Sequence, residues 1–330
     1  MELDFSGNTE INLYLMLIGF FLLPFLFIIL SMPYIIRKLT LNGHIVKDMY
    51  KKSMPIVPTN GGLPILLAAI FSLSILSLFY SKTITPINYT IIVVVVLFAL
   101  FGLLDDMVNI GRPAKLILLY YCSYPLIPFI VTTFIFFPVI GSVDLSIIYL
   151  QLIIPTYVPV VANLVNMHSG FNGLAPGLSL IVLATLVFKA FFFGNIYNAL
   201  FIICLTGAVA AYFLFEKYPS RIFWGNVGAL STGAGIGCMI VTQGYIISGF
   251  IMLIPHTVNF LLYVYWRLNV RKYPIAKFGR ERDDGTVEVP NPLTLKWVLP
   301  YYFRMAEKTS GYCMYGVTAL FCVAGFFYPG

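Results

Sequence analysis

Asn163-Leu-Val-Asn-Met-His-Ser-Gly-Phe-Asn-Gly-Leu-Ala-Pro-Gly177 breaks out of an apolar stretch and sets three amides and three glycines at its edge. On either side lie the hydrophobic runs 146–165 and 173–193, each close to the ~20 residues that cross a bilayer core. Amides left unsatisfied in hydrocarbon cost several kcal/mol. Their presence between two spans places them at a membrane–water boundary and calls for a polar ligand there.

The rest of the chain has the same character. Its 330 residues are 60% hydrophobic and 10% charged, with a mean hydropathy of +0.91, which excludes a soluble globular domain. The expected fold is an all-α integral membrane protein of about ten transmembrane helices, one polytopic domain over 1–330. The spans fall near 11–32, 61–80, 87–104, 114–137, 146–165, 173–193, 196–215, 226–243, 246–266 and 311–328. Pro125 and Pro128 predict a kink in the fourth. No basic segment precedes 11–32 and no small-residue cleavage site follows, so it reads as a retained helix rather than a signal peptide. Residues 267–310 form the longest polar connection, too short for an independent enzymatic domain. Cys122, Cys204, Cys238, Cys313 and Cys322 lie in apolar segments without metal-type spacing and read as core or lipid-facing residues.

Charge sets the expected topology. Of the 20 Lys and Arg, 18 fall in or beside the odd-numbered connections, leaving Lys82 and Lys189 on the other side. The positive-inside rule then puts those connections in the cytoplasm of a multi-pass plasma-membrane protein, with both termini outside. The net charge of +7 is largely topological, and no nucleic-acid partner is expected.

The chemically unusual segments share that face, so the active site is expected to be built from cytoplasmic loops. Lys47-Asp-Met-Tyr-Lys-Lys-Ser-Met-Pro-Ile-Val-Pro-Thr-Asn-Gly-Gly62 ends in paired glycines that would let helix-terminal N–H groups approach an anion. An ordinary basic loop with a helix-entry turn would read the same. Asp105 and Asp106 end the third span, where they repel each other and oppose the helix macrodipole. They stand out among the 13 acidic residues as the pair that directly abuts a long hydrophobic run. A nearby cation would relieve both problems, and such a pair can hold Mg²⁺ or orient a nucleophile; carboxylates simply facing water are the alternative. Lys115 follows across a Gly-Arg-Pro turn, suitably placed to grip a phosphate.

Asn163 and Asn166 share a helix face and Asn172 lies in the glycine-rich turn, groups able to read a base or an N-acetyl group or to ligate a hard cation. His168 reads as a hydrogen-bonding bystander more readily than as a general base. Around Arg221, the aromatics Tyr218, Phe223 and Trp224 form either a base-stacking wall or an interfacial belt. Lys272, Lys277, Arg280 and Arg282 are enough to hold a pyrophosphate, although a plain positive-inside loop would look similar. A transporter fits less well, because the polar groups gather at one end of the spans and no internal repeat is evident.

Together these segments resemble the polyprenyl-phosphate N-acetylhexosamine-1-phosphate transferase family, most nearly its eukaryotic and archaeal dolichyl-phosphate N-acetylglucosamine-phosphotransferases. The matching elements are Pro58-Thr-Asn-Gly-Gly62, Asp105-Asp106 with Lys115, Asn163-x-x-Asn166 through Asn172-Gly173-Leu, and Pro219-Ser-Arg-Ile-Phe-x-Gly-Asn226. The resemblance implies transfer of N-acetylglucosamine-1-phosphate from UDP-N-acetylglucosamine to a polyprenyl, expectedly dolichyl, phosphate, with release of UMP, as the first membrane step of N-glycan assembly. It implies Mg²⁺, replaceable by Mn²⁺, at Asn166 and Asn226 with Asp105 or Asp106. It implies Lys115 on the lipid phosphate, and Lys47, Asp48, Met49 and Thr59 at the uridine end. Asn163, Asn172, Gly173 and Arg221 would contact the nucleotide sugar, and Lys272, Lys277, Arg280 and Arg282 its pyrophosphate. The lipid bilayer is an obligatory partner, and a homodimer is compatible with the sequence. The chain departs from the family where Asn226 replaces an Asp and where an Arg-His-Arg cluster is missing. It reads His-Ser-Gly-Phe-Asn-Gly where bacterial members carry an Asp-rich signature. A bacterial-type transferase using another UDP-N-acetylhexosamine or undecaprenyl phosphate is the alternative.

Overall fold

With no water in hydrocarbon to bond backbone amides, apolar runs of this length fold as helices that satisfy them internally. The computed structural model describes residues 6–108, 112–130, 132–137, 140–273 and 276–329. Helix α1 (Ser6–Leu41) leads through a hairpin, β1 (Ile45–Lys47) with β2 (Ile56–Pro58), into α2 (Gly62–Tyr80) and α3 (Pro86–Val108). Then follow α4 (Arg112–Cys122), a 3₁₀ turn (Tyr124–Phe129) and a second hairpin, β3 (Phe134–Phe137) with β4 (Gly141–Asp144). Short α5 (Ser146–Ile148) runs through a π turn into α6 (Ile154–Met167) as one span. The remaining elements are α7 (Leu174–Phe193), α8 (Leu200–Glu216), α9 (Gly225–Thr242), α10 (Ile246–Met252), α11 (Ile254–Leu268), a third hairpin β5 (Arg280–Glu281) with β6 (Val287–Glu288), α12 (Leu295–Tyr302) and α13 (Glu307–Phe327).

Among the described residues seven helices are long and apolar enough to cross a membrane, or eight if α10 and α11, bent by 66°, count as one span. The chain is an all-α, multi-pass membrane protein. The stretch 114–137, read as a single kinked span, is instead α4, the 3₁₀ turn and the first strand of a hairpin. Pro125 and Pro128 lack the N–H groups a helix would need, and the helix stops before them. The expected span 226–243 is the 18-residue α9, outside the seven because five glycines, Ser231 and Thr232 dilute its apolar character. The connection 267–310 is not a bare loop. Its hairpin and α12 pack into a second core with Tyr50, Phe171, Trp266 and Trp297, closed by a 3.0 Å hydrogen bond from Trp297 Nε1 to Tyr50 Oη. This core caps the 163–177 turn.

The small residues of α9 make it the central post. A Cβ on Gly233 would stand 2.6 Å from Ala162 Cα of α6, and one on Gly102 of α3 would stand 2.9 Å from the Asn226 carbonyl. A Cβ on Gly62, at the start of α2, would fall 2.1 Å from the backbone nitrogen of Gly228. Such backbone-to-backbone approach is what small residues permit between membrane helices. It is continued by hydrogen bonds from Gly61 N to Phe223 O and from Gly62 N to Trp224 O, both 2.9 Å. The segment 58–62 is thereby stitched to 223–224, at the same end as Asn226.

The opposite end is tied by other polar groups. Asn88 Nδ2 donates to Tyr197 O at 2.8 Å and its Oδ1 accepts from Phe201 N at 3.0 Å. Lys189, buried near the end of α7, donates to Gly325 O and Phe326 O of α13 at 3.2 and 3.0 Å. A cation among the last carbonyls of a helix satisfies acceptors that have no intrahelical partner.

Gly62→Ala tests the central contact. Its methyl group has no room against Gly228, so the variant is expected to lose about 1–3 kcal/mol, the cost of overpacking, read as a lowered thermal midpoint in detergent. Gly19→Ala, where the added Cβ meets nothing within 4 Å, is the control and is expected to keep its midpoint.

Candidate functional site

Three helix ends converge on the acidic pair. Asp105 and Asp106 lie in the last turns of α3, Lys115 in the first turns of α4, and Asn226 in the first turn of α9. Lys115 Nζ sits 3.0 Å from Asp105 Oδ2, both side chains nearly buried at 13% and 12% exposure. Asn226 Nδ2 donates to Asp106 Oδ1 at 2.7 Å and reaches Asp105 Oδ2 at 3.5 Å. An ammonium and an amide thus face two carboxylates that the α3 macrodipole disfavours, and the N-terminus of α9 adds its positive end. The group retains one net negative charge. Gly111 of the intervening turn lies outside the described residues.

The side chains suit a hard divalent cation, two carboxylates with no thiol or imidazole, and the Asn226 amide would join them by turning its oxygen inward in place of the nitrogen that faces the pair here. Among the described residues no cluster of three or more His, Cys, Asp or Glu exists. Mg²⁺ usually keeps water and substrate phosphates among its ligands rather than filling an all-protein cage. Asn166 stands on α6, which runs antiparallel to α9: Ala162 lies beside Gly233 and Val158 beside Gly237. The C-terminal turn of α6, with Asn166, is therefore at the same end of the bundle as Asn226.

A second polar cluster ties the loops together. Asp48 accepts from Asn172 Nδ2 at 3.0 Å, and Asn172 Oδ1 accepts from Ser220 N at 3.0 Å. Asn172 N donates to Glu307 Oε1 at 2.6 Å. Lys51 pairs with Glu307, lies 3.5 Å from Asp48 and rests 4.4 Å from the Tyr218 ring centre. The first connection, the 163–177 turn, the 216–224 loop and the start of α13 are joined at this point. Asn172 is fully engaged, so in this arrangement it positions Asp48 and Ser220.

Sequence reading missed Lys51 and Glu307. Asp105 and Asp106 are not alone in abutting apolar runs, because Glu216 ends α8 and Glu307 opens α13, each only 4% exposed. Glu216 accepts from Tyr212 Oη at 2.7 Å and from Trp224 N at 3.0 Å, fixing the loop that delivers Asn226. An acid in the first turn of α13, where the macrodipole favours it, was the available signal for Glu307.

The other expected contacts are spread along this face. Lys47 is exposed on β1, Met49 is half-buried, and half-buried Thr59 donates its N–H to His44 O at 2.9 Å. Asn163 bonds Pro159 O at 2.8 Å within its own helix. Gly173, at φ +70°, accepts from Tyr315 Oη at 2.7 Å. Arg221 stacks 4.7 Å from the Phe215 ring centre. Trp224 is buried against Tyr212, whereas Phe223 stays partly open. In the basic segment Lys272, Lys277 and Arg280 are exposed, while Arg282 holds its own hairpin through Val287 O at 3.2 Å. Residues 274–275 lie outside the described residues.

His168 is buried edge-on against His256, with ring centres 4.8 Å apart. Burial, with positive neighbours including Lys296, holds its pKa well below the usual imidazole value. Lys296, on α12, was not anticipated. Its Nζ donates to Ser169 O and lies 5.7–5.8 Å from the ring centres of Tyr50, Phe171 and Trp297. A Cβ on Gly170 would stand 2.2 Å from it. Burial lowers this ammonium to about 8, against an opposing pull from Glu307.

Residues 88–244 match glycosyl transferase family 4. A Saccharolobus solfataricus protein provisionally named UDP-N-acetylglucosamine–dolichyl-phosphate N-acetylglucosaminephosphotransferase is 30% identical, over 92% of this chain and 93% of its own. A Sulfolobus acidocaldarius protein of the same provisional name is 29% identical over 82% and 84%. The phospho-N-acetylmuramoyl-pentapeptide-transferase of Clostridium kluyveri is 29% identical over 55% and 60%.

Lys296 supplies a pH test. The unfolded chain holds this proton up to about 10.4, the folded chain only to about 8. Between these values the unfolded state binds more protons, so stability rises with pH across that window, and the burial penalty is complete below it. Thermal midpoints at pH 7 and pH 9.5 are expected to improve for the natural chain relative to Lys296→Met as pH rises. Parallel midpoints would assign the pH response to other groups.

Proposed function

The chain belongs to glycosyl transferase family 4, and we propose that it transfers N-acetylglucosamine-1-phosphate from UDP-N-acetylglucosamine to a dolichyl-type polyprenyl phosphate, releasing UMP. The names of the two archaeal relatives support this choice of substrates. The observation that carries the chemistry is the convergence of Asp105, Asp106, Lys115 and Asn226 at one end of the bundle. We read this end as cytoplasmic, because nearly all Lys and Arg fall on its connections. The product would be the first lipid-linked intermediate of N-glycan assembly.

The acceptor is a phosphate monoester whose second pKa near 6 leaves it mostly a dianion at neutral pH, so it needs little general-base help. The difficulty is electrostatic: a dianion must approach a charged pyrophosphate. Lys115 contacts the acceptor phosphate and offsets part of its charge. Asp105 holds Lys115 in place, and Asp106 orients the acceptor or takes a residual proton. Asn226 would hold Mg²⁺ with Asp105, Asp106 and Asn166, and the bound ion would supply further charge neutralisation on the phosphates. An acceptor oxygen attacks the sugar-linked phosphorus in line. The bond from that phosphorus to the bridging oxygen breaks, and UMP departs with that oxygen. Exposed Lys272, Lys277 and Arg280 are suited to the pyrophosphate, and half-open Phe223 to the uracil face. Asp48 and Asn172 act by fixing the walls between them. A long isoprenoid tail stays in the bilayer while its phosphate reaches the helix ends, which is why the reaction belongs in a membrane protein.

Purified protein given Mg²⁺, UDP-N-acetylglucosamine and dolichyl phosphate is expected to release UMP and label the lipid. No UMP with any pairing of polyprenyl phosphate and UDP-N-acetylhexosamine would remove the enzyme reading. Asp106→Ala is expected to cut turnover by about 100-fold or more, and an unchanged rate would make the pair structural. Asn226→Asp adds a charge where the amide stands. It is expected to lower the Mg²⁺ concentration for half-maximal binding, measured by calorimetry, whereas an unaltered titration would remove residue 226 from the ligand set.

A further inference from the structure

A cavity of about 300 Å³ opens beside the loop cluster, between the turn before α7, the first turns of α13, and the last turn of α8 with the loop that follows it. Asn172, Lys217, Tyr218, Lys308, Tyr312 and Tyr315 are among the residues that line it. Asp105, Asp106, Lys115 and Asn226 take no part in its lining. Among the described residues neither Lys217 nor Lys308 has a carboxylate within ion-pair distance. The nearby acids are committed elsewhere: Glu307 to Lys51 and Asn172, and Glu216 to Tyr212 and Trp224. Lys308 Nζ lies 5.8 Å from the Tyr312 ring centre, so two lysines without a carboxylate partner line one recess. Gly311 in its lining would place a Cβ in open space, so the chain leaves this volume empty where almost any side chain would fill it.

The level of the recess identifies the ligand. Leu174, Glu216 and Glu307 are the terminal residues of three membrane-length runs, so the recess lies where spans meet water. Tyrosines are enriched at that depth, and lysines there attract anionic headgroups. The volume is at the lower end for small-molecule sites, enough for a headgroup whose acyl chains remain in the bilayer. A nucleotide is the poorer fit, because Asn172 is the one amide in the lining and both ends of its side chain are engaged.

We propose that this recess binds the phosphate headgroup of an anionic membrane lipid, held by Lys217 and Lys308. The bound headgroup touches Tyr218 and Asn172, the outer members of the cluster that includes Lys51, Asp48 and Glu307. It therefore steadies the loop junction beside the phosphotransfer end. The proposal concerns lipid binding and stands apart from the identity of the transferred sugar.

The test measures binding, so it is independent of turnover. Full-length protein in phosphatidylcholine micelles is titrated with phosphatidylglycerol and followed by native mass spectrometry and thermal midpoint. The natural chain is expected to retain phosphatidylglycerol and gain stability, and Lys217→Gln/Lys308→Gln to bind about tenfold more weakly or less. Gly311→Leu, which fills the recess and keeps both charges, is expected to lose the same binding. Lys38→Gln/Lys82→Gln, with equal charge removed elsewhere, is expected to keep it. Equal affinity in the recess variants, or equal loss in the control, would overturn the proposal. So would stabilisation by UMP or inorganic phosphate that the recess variants abolish while phosphatidylglycerol has no effect, since the ligand would then be water-borne.

Discussion

The whole arrangement depends on backbones that touch. Helices in a bilayer gain little hydrophobic energy from each other, so close packing and hydrogen bonds must hold them. Here α9 packs backbone to backbone, with Gly228 against Gly62 and Gly233 against Ala162, while Gly102 of α3 meets the Asn226 carbonyl. Because these contacts involve main chain, they fix helix positions more tightly than side-chain packing would. Asn226 and Asp106 meet at 2.7 Å as a result of glycines that carry no chemistry themselves.

Two polar systems of different type sit on that frame. At the ends of α3, α4 and α9 the charges are left unbalanced, with two carboxylates against one ammonium and an amide. This suits a place where an additional cation and phosphates come together. In the loop cluster nearly every donor and acceptor of Asn172, Asp48 and Glu307 is used. A saturated network in a low-dielectric setting is rigid and costly to break. It supports the open one beside it. Asn226 illustrates the distinction: as an aspartate it would add a third negative charge, whereas as an amide it faces both carboxylates with a hydrogen-bond donor.

Much of this was legible in sequence because the signals were local. Apolar runs of span length announced the helices, Asp105 with Asp106 announced an electrostatic problem, and the 163–177 break announced polar work at a boundary. What stayed hidden depends on partners far apart in the chain. Lys51 and Glu307 are separated by 256 residues, and Asn172 and Glu307 by 135. No periodicity records such pairs. Lys296 looked like one more basic residue of a positive loop, since nothing nearby foretells a niche of Tyr50, Phe171 and Trp297. The region 114–137 was misread for another reason: its hydrophobicity is real, but two prolines and a hairpin break it where a kinked helix was expected.

The two ends of α13 have a joint consequence. Glu307 anchors its start to Lys51 and the Asn172 backbone, and Lys189 grips the carbonyls at its finish. A rod clamped at both tips cannot slide along its axis. Piston-like displacement past α7, one way a helix can relay an event across a bilayer, would have to break the contacts at both tips together. Axial movement begun among the loops at the Glu307 end would have to break the Lys189 clamp as well before it reached the far surface.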